Sequence, residues 1–328
     1  MTTKHCAGNT YFILIRIKTS TMQKDLRIIF MGTPEFAIPS LKILLEHNYQ
    51  VVAVITALDK PRGRGRVLTP SPVKAFAMEK DIPVLQPPNL KDPGFIKELA
   101  AYNANLQVVV AFRMLPEVVW AMPEYGTINL HASLLPAYRG AAPINWVLIN
   151  GEKTTGLTTF FIRQEIDTGN ILFREKLEID PEDNAGTLHD KMMELGGDLV
   201  LRTVRAIESG NYQTIQQTDA PDLKKAPKIF REDCEIDWNT SCQAIRNFIR
   251  GLTPFPGART VINGKIYKIS KVEIVSNKNV TDTIGEYTTD SRSYLHFRCS
   301  DGIVSIVELQ PEGKRKMHVE DFFRGNKL

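Results

Sequence analysis

With 328 residues, 43% hydrophobic and 24% charged, the chain has room for two ordinary domains and the composition of a globular enzyme with a proper core. No run approaches the roughly 18 apolar residues that a membrane helix needs, so no membrane partner is expected. The formal net charge of +4 is modest, and what matters is where the excess sits.

The first twenty-one residues contain one short apolar run, Tyr11–Ile15, interrupted by Arg16, and it is too short for the centre of a secretory signal. Residues 1–21 are expected to be a disordered extension or a start placed too far upstream, because Met22 stands just ahead of the first clear element. From Leu26 the pattern is strand then helix, repeated. Arg27–Met31 ends at Gly32, after which Thr33 is predicted to cap a helix with Pro34 at its first position. Val51–Thr56, Val108–Phe112 and Gly126–His131 are further buried-type strands, and helical stretches between them indicate a parallel α/β sheet. Thr155–Ile162 and Ile171–Ile179 lie too close together for an intervening helix, which predicts an antiparallel extension. A helix over 186–209, with Leu188, Met192, Leu195, Leu199 and Val204 at helical spacing, closes a catalytic domain spanning 22–209.

Residues 210–228 are polar and broken by Pro221 and Pro227, so they are expected to form a linker. Beyond it, an amphipathic helix over 240–252 gives way to short strands. Asn263-Gly264 between two such runs predicts a type I′ hairpin. The fold expected is α/β, a Rossmann-like mostly parallel sheet followed by a smaller C-terminal β-barrel domain, OB-like, over 229–328.

Four cysteines (Cys6, Cys234, Cys242 and Cys299) form no CxxC pair, and six histidines form no HExxH or HxH. Reduced thiols in a cytoplasmic protein and no metal site are the expectation. The charge is localised: Asp59–Lys74 carries Lys60, Arg62, Arg64, Arg66 and Lys74 against one acid, which equals the excess of the whole chain. A Gly/Pro-rich loop with that concentration points to an anionic partner.

Nucleotide motifs fail. Gly32-Thr33-Pro34-Glu35-Phe36 has one glycine where a dinucleotide fingerprint needs three, and Gly63-Arg64-Gly65-Arg66 lacks the Lys-Ser/Thr of a P-loop. Asn129-Leu130-His131-Ala132-Ser133-Leu134-Leu135-Pro136 is more informative, because it lies at the end of a parallel strand, where open α/β sheets place ligands. Residues two apart on a strand point the same way, so Asn129 and His131 face one site. An amide donor beside an imidazole suits acyl transfer to an amine: Asn129 would stabilise the developing oxyanion, and His131 would act as a second donor or handle the proton. Asp167, in the turn before Thr168-Gly169, is placed to orient His131 and to favour its protonated form; a plain turn residue is the alternative.

This pattern, Asn-x-His-x-Ser-Leu-Leu-Pro with a later Asp-Thr-Gly, resembles the 10-formyltetrahydrofolate-dependent formyltransferases. Gly32–Ala37, the basic loop through Pro70-Ser71-Pro72-Val73-Lys74, Arg139–Ile144, Gly186-Thr187-Leu188, Ile236-Asp237-Trp238 and Gly325–Leu328 are similar to the branch that acts on methionyl-tRNA. The resemblance covers nearly everything from Leu26 onward. It implies 10-formyltetrahydrofolate as the formyl donor, without a metal, and the methionine amino group on initiator tRNA as acceptor. It also implies Asn129, His131 and Asp167 as the catalytic trio, Ser133, Leu134, Leu135 and Pro136 as folate contacts, and Lys60, Arg62, Arg64 and Arg66 as tRNA contacts, with Arg64 foremost. A monomer is expected. One departure is Arg113, where the family pattern has glycine; it would pair with the folate glutamate or point into solvent. Purine-pathway and sugar-nucleotide formyltransferases share the trio, so the acceptor is read from the basic loop and from six basic residues with no acid over 246–272. A non-catalytic folate- or RNA-binding module is the reading of a different class, and it would not need all three residues.

Overall fold

Runs such as Ile28–Met31, Val51–Ile55 and Val108–Val110 are apolar on both faces, and they can be buried only in a sheet covered on both sides. The computed structural model describes residues 25–62, 65, 67–275 and 283–328; the extension 1–21 lies outside them. In chain order it contains β1 (Arg27–Gly32), α1 (Ile38–Glu46), β2 (Gln50–Ile55), β3 (Lys60–Arg62), β4 (Val67–Thr69), α2 (Pro72–Glu79), β5 (Val84–Leu85), α3 (Pro93–Ala101) and β6 (Leu106–Val110). There follow α4 (Glu117–Trp120), β7 (Thr127–His131), β8 (Arg139–Gly140), α5 (Pro143–Ile149), β9 (Thr154–Phe161), β10 (Ile171–Glu178) and α6 (Ala185–Ser209).

Seven of these strands form one sheet in the order β10-β9-β7-β6-β1-β2-β5. The five from β7 to β5 run parallel, while β9 and β10 form the expected antiparallel extension. The chain leaves β1 toward β2 and β5, then returns to the other side of β1 for β6 and β7. The carboxyl ends of β1 and β6 therefore flank the switch point where such sheets bind ligands. One sheet face (Phe30, Val54, Val108, Leu130, Leu157) packs with Leu41 and Leu44 of α1 and Leu199 and Val204 of α6. The other face (Ile29, Met31, Ile55, Val109) packs with Phe95 and Leu99 of α3.

Helix α6 matches its predicted span because both ends are capped. Asn184 Oδ1 accepts from the Gly186 and Thr187 amides at 2.8 and 3.1 Å, Thr187 Oγ1 accepts from the Asn184 amide at 3.0 Å, and Gly210 stops the helix at φ 70°. The predicted cap at Thr33 does not form. A 3-10 turn, Glu35–Ala37, comes first, and α1 starts only at Ile38. The reason is Pro39, which a helix tolerates in its first turn and not in its interior.

The C-terminal part adds β11 (Lys225–Ala226), α7 (Cys242–Leu252), β12 (Ala258–Ile262), β13 (Lys265–Val275), β14 (Tyr287–Thr289), β15 (Leu295–Arg298), β16 (Ile303–Pro311), β17 (Met317–His318) and α8 (Val319–Gly325). The antiparallel order β12-β13-β16-β15-β14, with β17 on β16, leaves β12 and β14 as edges, so the sheet is a curled half-barrel rather than a closed one. Its interior is aromatic: Trp238 stacks on Phe297 with centroids 4.1 Å apart, and Tyr267 meets Phe322 edge-on. The Asn263-Gly264 turn has φ values of 48° and 74°, as a type I′ hairpin requires.

The two parts meet where α5 crosses α7. A Cβ on Gly251 would stand 2.6 Å from Ile149 Cγ1 and 3.0 Å from the Asn145 carbonyl oxygen, so only glycine permits this approach. Asn145 Nδ2 donates to the Gly251 carbonyl across the crossing at 2.7 Å. Residues 210–228 connect the parts without standing clear of them. Ile215 bridges to Ile171, and β11 pairs in parallel with β8.

Candidate active site

The carboxyl end of β7 lies in the interior of the sheet, between β6 and β9. Asn129 pairs with Val109 on one side and Phe160 on the other, and strand alternation puts Asn129 and His131 opposite the face that Ile128 and Leu130 give to the α1/α6 core. His131 is buried, at 6% exposure. Its Nε2 lies 2.9 Å from the Tyr138 carbonyl oxygen, which can only accept, so the hydrogen on that side is carried by Nε2. Its Nδ1 faces Asp167 Oδ2 at 3.7 Å, an ion-pair distance that is too long for a direct hydrogen bond. The structure therefore brings His131 and Asp167 together, with Asn129 two residues back on the same strand face.

Asp167 has its own support. Its backbone is left-handed, φ 55°, a costly conformation for a residue with a Cβ. The Gly140 amide donates to Oδ2 at 3.0 Å. Two residues on, Gly169 lies so close to the Phe161 carbonyl that a Cβ would overlap it. The loop that holds Gly140 is itself pinned. Tyr138 donates its hydroxyl to Glu152 Oε1 at 2.5 Å, and Lys224 Nζ reaches the same carboxylate at 2.7 Å. Burial first, then the Glu152 contact, push the Tyr138 phenol well above its usual range. Burial alone would raise the Glu152 carboxyl, but the hydrogen bonds from Lys224 and Tyr138 bring it below the ordinary value. Little of this support was visible in the sequence: Gly140 lies in the Arg139–Ile144 segment, but Tyr138 and Glu152 carry no motif, and only the fold gathers them.

The segment expected to contact folate divides. Ser133 is fully buried and donates to the Ala137 carbonyl at 2.6 Å, and Leu135 is buried with Phe160 and Ile171. Leu134 and Pro136 are half-buried. Ser133 and Leu135 thus shape the loop, and only Leu134 and Pro136 keep side-chain surface for a ligand. Arg113 is exposed to solvent, and its head group is also held by backbone. Its guanidinium donates to the Pro88 carbonyl at 3.0 Å and to the Pro87 carbonyl, tying the loop after β6 to the one after β5.

The basic segment is an exposed hairpin, with Lys60 opposite Thr69 and Arg62 opposite Val67. Val67 and Leu68, on its second strand, are each 67% exposed. Its base is rigid: Thr56 Oγ1 and Ser71 Oγ are 2.7 Å apart and buried, and Ser71 caps α2. Lys74 pairs with Asp59 at 2.7 Å, so the two cancel and the positive charge is left to the arginines and Lys60. Arg64, Arg66 and the side chain of Arg62 lie outside the described residues.

The six basic residues over 246–272 are not all directed outward. Arg246 pairs with Glu182 at 2.6 Å, and Arg250 reaches the Asp180 and Asp183 carbonyls, so both bind the two domains together. Arg259 and Lys268, with Lys228 and Arg231, line a cleft of about 690 Å³ at the domain junction next to Ala141 and Ala142. Phe255 and Phe230 stand at this cleft 79% and 51% exposed. Among the described residues no group of three or more His, Cys, Asp or Glu is gathered as a metal would need, and no helix is long and apolar enough to cross a membrane.

Comparison with known proteins accounts for both halves. The formyl transferase family model matches residues 26–204, and that of the formyl transferase C-terminal domain matches residues 228–327. Methionyl-tRNA formyltransferase of Phocaeicola vulgatus is 52% identical over 316 residues, covering 92% of this chain and 96% of the relative. Methionyl-tRNA formyltransferase of Azobacteroides pseudotrichonymphae is 50% identical over 310 residues, with the same 92% and 96% coverage. Among solved structures, WlaRD, a sugar 3N-formyl transferase solved in the presence of dTDP and 5-N-formyl-THF, has a TM-score of 0.64 at 21% identity, over 89% of this chain and all of that one. HypX from Aquifex aeolicus, solved with tetrahydrofolic acid, has a TM-score of 0.63 at 17% identity over 92% of this chain and 48% of its own. At those identities the two structures share the fold alone. With both halves matched, and with about half of all residues identical to those of relatives that it covers almost end to end, the chain belongs to the formyl transferase family.

Proposed function

We propose that the protein transfers a formyl group from 10-formyltetrahydrofolate to the amino group of methionine on initiator tRNA. The observation that carries the chemistry is the His131 ring held between the Tyr138 carbonyl and the Asp167 carboxylate at the end of β7, on the strand face of Asn129. The amine nitrogen attacks the formyl carbon, a C–N bond forms, and charge grows on the formyl oxygen. Asn129 donates to that oxygen. With Nε2 committed to a carbonyl, Nδ1 of His131 is the ring nitrogen that takes and returns the proton, and Asp167 stabilises the imidazolium that results. Collapse breaks the bond to N10 of the folate, which leaves protonated, as tetrahydrofolate. Leu134, Pro136 and the backbone from Ser133 through Leu135 contact the folate in this reading.

The acceptor is read from charge outside the catalytic centre. Lys60, Arg62, Arg64 and Arg66 would hold the acceptor end of the tRNA, with residues 22–209 as the catalytic domain, 210–228 as the connection and 229–328 as the tRNA-binding domain. The junction cleft supports this: its cations suit phosphates, and its exposed phenylalanines suit unstacked bases. We take the protein to act as a monomer in the cytoplasm, where the buried thiols of Cys234, Cys242 and Cys299 stay reduced. The test is formyl transfer by the purified protein from 10-formyltetrahydrofolate to methionyl initiator tRNA, with methionyl elongator tRNA as control. Transfer to the initiator alone is expected; equal transfer to both, or to neither, overturns the reading.

A further inference from the structure

The stretch after α6 does more than join two domains. Gln217, half-buried there, donates from Nε2 to the carbonyl oxygens of Asp167 and Gly169, both at 2.8 Å. Its Oε1 accepts from Arg139 Nε at 3.1 Å and Arg139 Nη2 at 2.8 Å. Both amide hydrogens and the amide oxygen are therefore in use, and a carboxamide of this length is the side chain that satisfies two acceptors on one side and a guanidinium on the other. The remaining Arg139 nitrogen, Nη1, pairs with Asp219, two residues further on, at 2.5 Å.

The two loops that Gln217 ties together are those whose meeting sets the acid of the site. One carries Arg139 and Gly140, and the Gly140 amide donates to Asp167 Oδ2. The other is the left-handed turn at Asp167 itself. Such a turn does not hold its conformation unaided, and its two carbonyls are fixed by a residue 50 positions downstream. Water can replace Gln217 at the half-buried Asp167 carbonyl, while Gly169 is buried, so part of the stability is lost with the side chain. Water cannot hold the turn in one place, and a displacement of about 1 Å in a catalytic group costs roughly 10²-fold in rate.

We infer that Gln217 is a positioning residue: it sets the Asp167 carboxylate against His131 and so makes formyl transfer depend on how the segment between the domains is docked. The inference rests on the catalytic reading of Asp167. The experiment uses the full chain with Gln217→Leu and Gln217→Glu, each alone and combined with Asp167→Asn, and measures kcat, both KM values and the thermal midpoint. Gln217→Glu keeps the acceptor for Arg139 but turns a carboxylate toward two carbonyls, so it carries the test if the leucine variant does not fold. Expected for either is a kcat lower by about ten- to a hundredfold, with KM for folate and tRNA changed less than about threefold. In the Asp167→Asn background the same change should lower kcat by less than about threefold, because what Gln217 positions is already gone. A kcat kept within threefold in the single variants, or reduced again in full in the Asp167→Asn background, overturns the inference. Undiminished activity of Asp167→Asn alone instead overturns the reading of Asp167 itself.

Discussion

His131 Nε2 and the Tyr138 carbonyl oxygen are 2.9 Å apart inside the protein, and this contact divides the ring into a structural nitrogen and a reactive one. Two substitutions separate the roles. Glutamine places an amide nitrogen near the Nε2 position, and asparagine places one near Nδ1. His131→Gln is expected to keep the thermal midpoint close to that of the parent while kcat falls by at least about 10²-fold. His131→Asn should lose kcat similarly and stability as well, by about 1–3 kcal/mol, because the Tyr138 carbonyl is left without a donor. Kinetics and thermal melts on the same preparations check both; a His131→Gln enzyme with near-normal kcat would show that Nδ1 is not the working atom.

Gly169→Ala should be damaging out of proportion to one methyl group. The added carbon overlaps the Phe161 carbonyl oxygen, which is held in the β9/β10 hairpin and cannot retreat. A stability loss of roughly 1–3 kcal/mol or more is expected, with a fall in kcat from displacement of Asp167. A melt and a rate indistinguishable from the parent would mean that the turn is not fixed as described.

Replacing Lys60, Arg62, Arg64 or Arg66 by alanine is expected to weaken tRNA binding and to lower its salt dependence. For every phosphate left without its cation, the slope of log K against log salt should shrink by roughly 0.7–0.9. Lys74→Ala should behave differently. Its ammonium is engaged by Asp59 at the hairpin base, so the substitution leaves the slope unchanged and loosens the base instead. A salt titration of tRNA binding distinguishes the two; an altered slope in Lys74→Ala would contradict this division.

Two partly buried carboxyls, Asp183 and Glu152, should contribute to the acid limit of stability. Burial alone would raise the Asp183 carboxyl, but hydrogen bonds from Lys191, the Asp180 amide and Thr187 outweigh it and hold the group below the ordinary aspartate range. Glu152 is lowered in the same way. A carboxyl lowered in the folded state contributes stability that is complete above its ordinary pKa, and that is lost as pH falls below this value toward the folded one. The thermal midpoint should therefore be flat with respect to these groups from about pH 7 to 5 and fall below about pH 4.5. Asp183→Asn should remove part of that fall, and melts across the pH series read it directly.

Strand alternation at the end of β7 was enough to pair Asn129 with His131, because period-two geometry is local. The Asn263-Gly264 turn and α6 were legible for the same reason, since their signals lie within a few residues. What was not legible was where long side chains end. Arg113 reaches carbonyls 25 and 26 positions back, and Arg246 and Arg250 reach across to the catalytic domain. Composition marks such residues as charge and cannot tell a surface cation from a structural tie. Residues 210–228 read as a linker because polar residues and prolines give no periodicity, yet their hydrogen bonds go to β8 and the Asp167 turn.

At the crossing of α5 and α7, Gly251 contributes no side chain of its own, so the α7 backbone lies directly against Ile149 and the Asn145 carbonyl. Most helix pairs are separated by a layer of rotamers that can turn to accommodate a small tilt. Here α7 adds nothing to that layer at Gly251, and tilting must break the Asn145–Gly251 hydrogen bond. The junction is therefore built to stay latched or to let go as a unit, with little graded breathing between. A substrate that touches both the hairpin and the half-barrel meets two surfaces whose spacing is fixed beforehand, as in a gauge: it fits the gap or it does not.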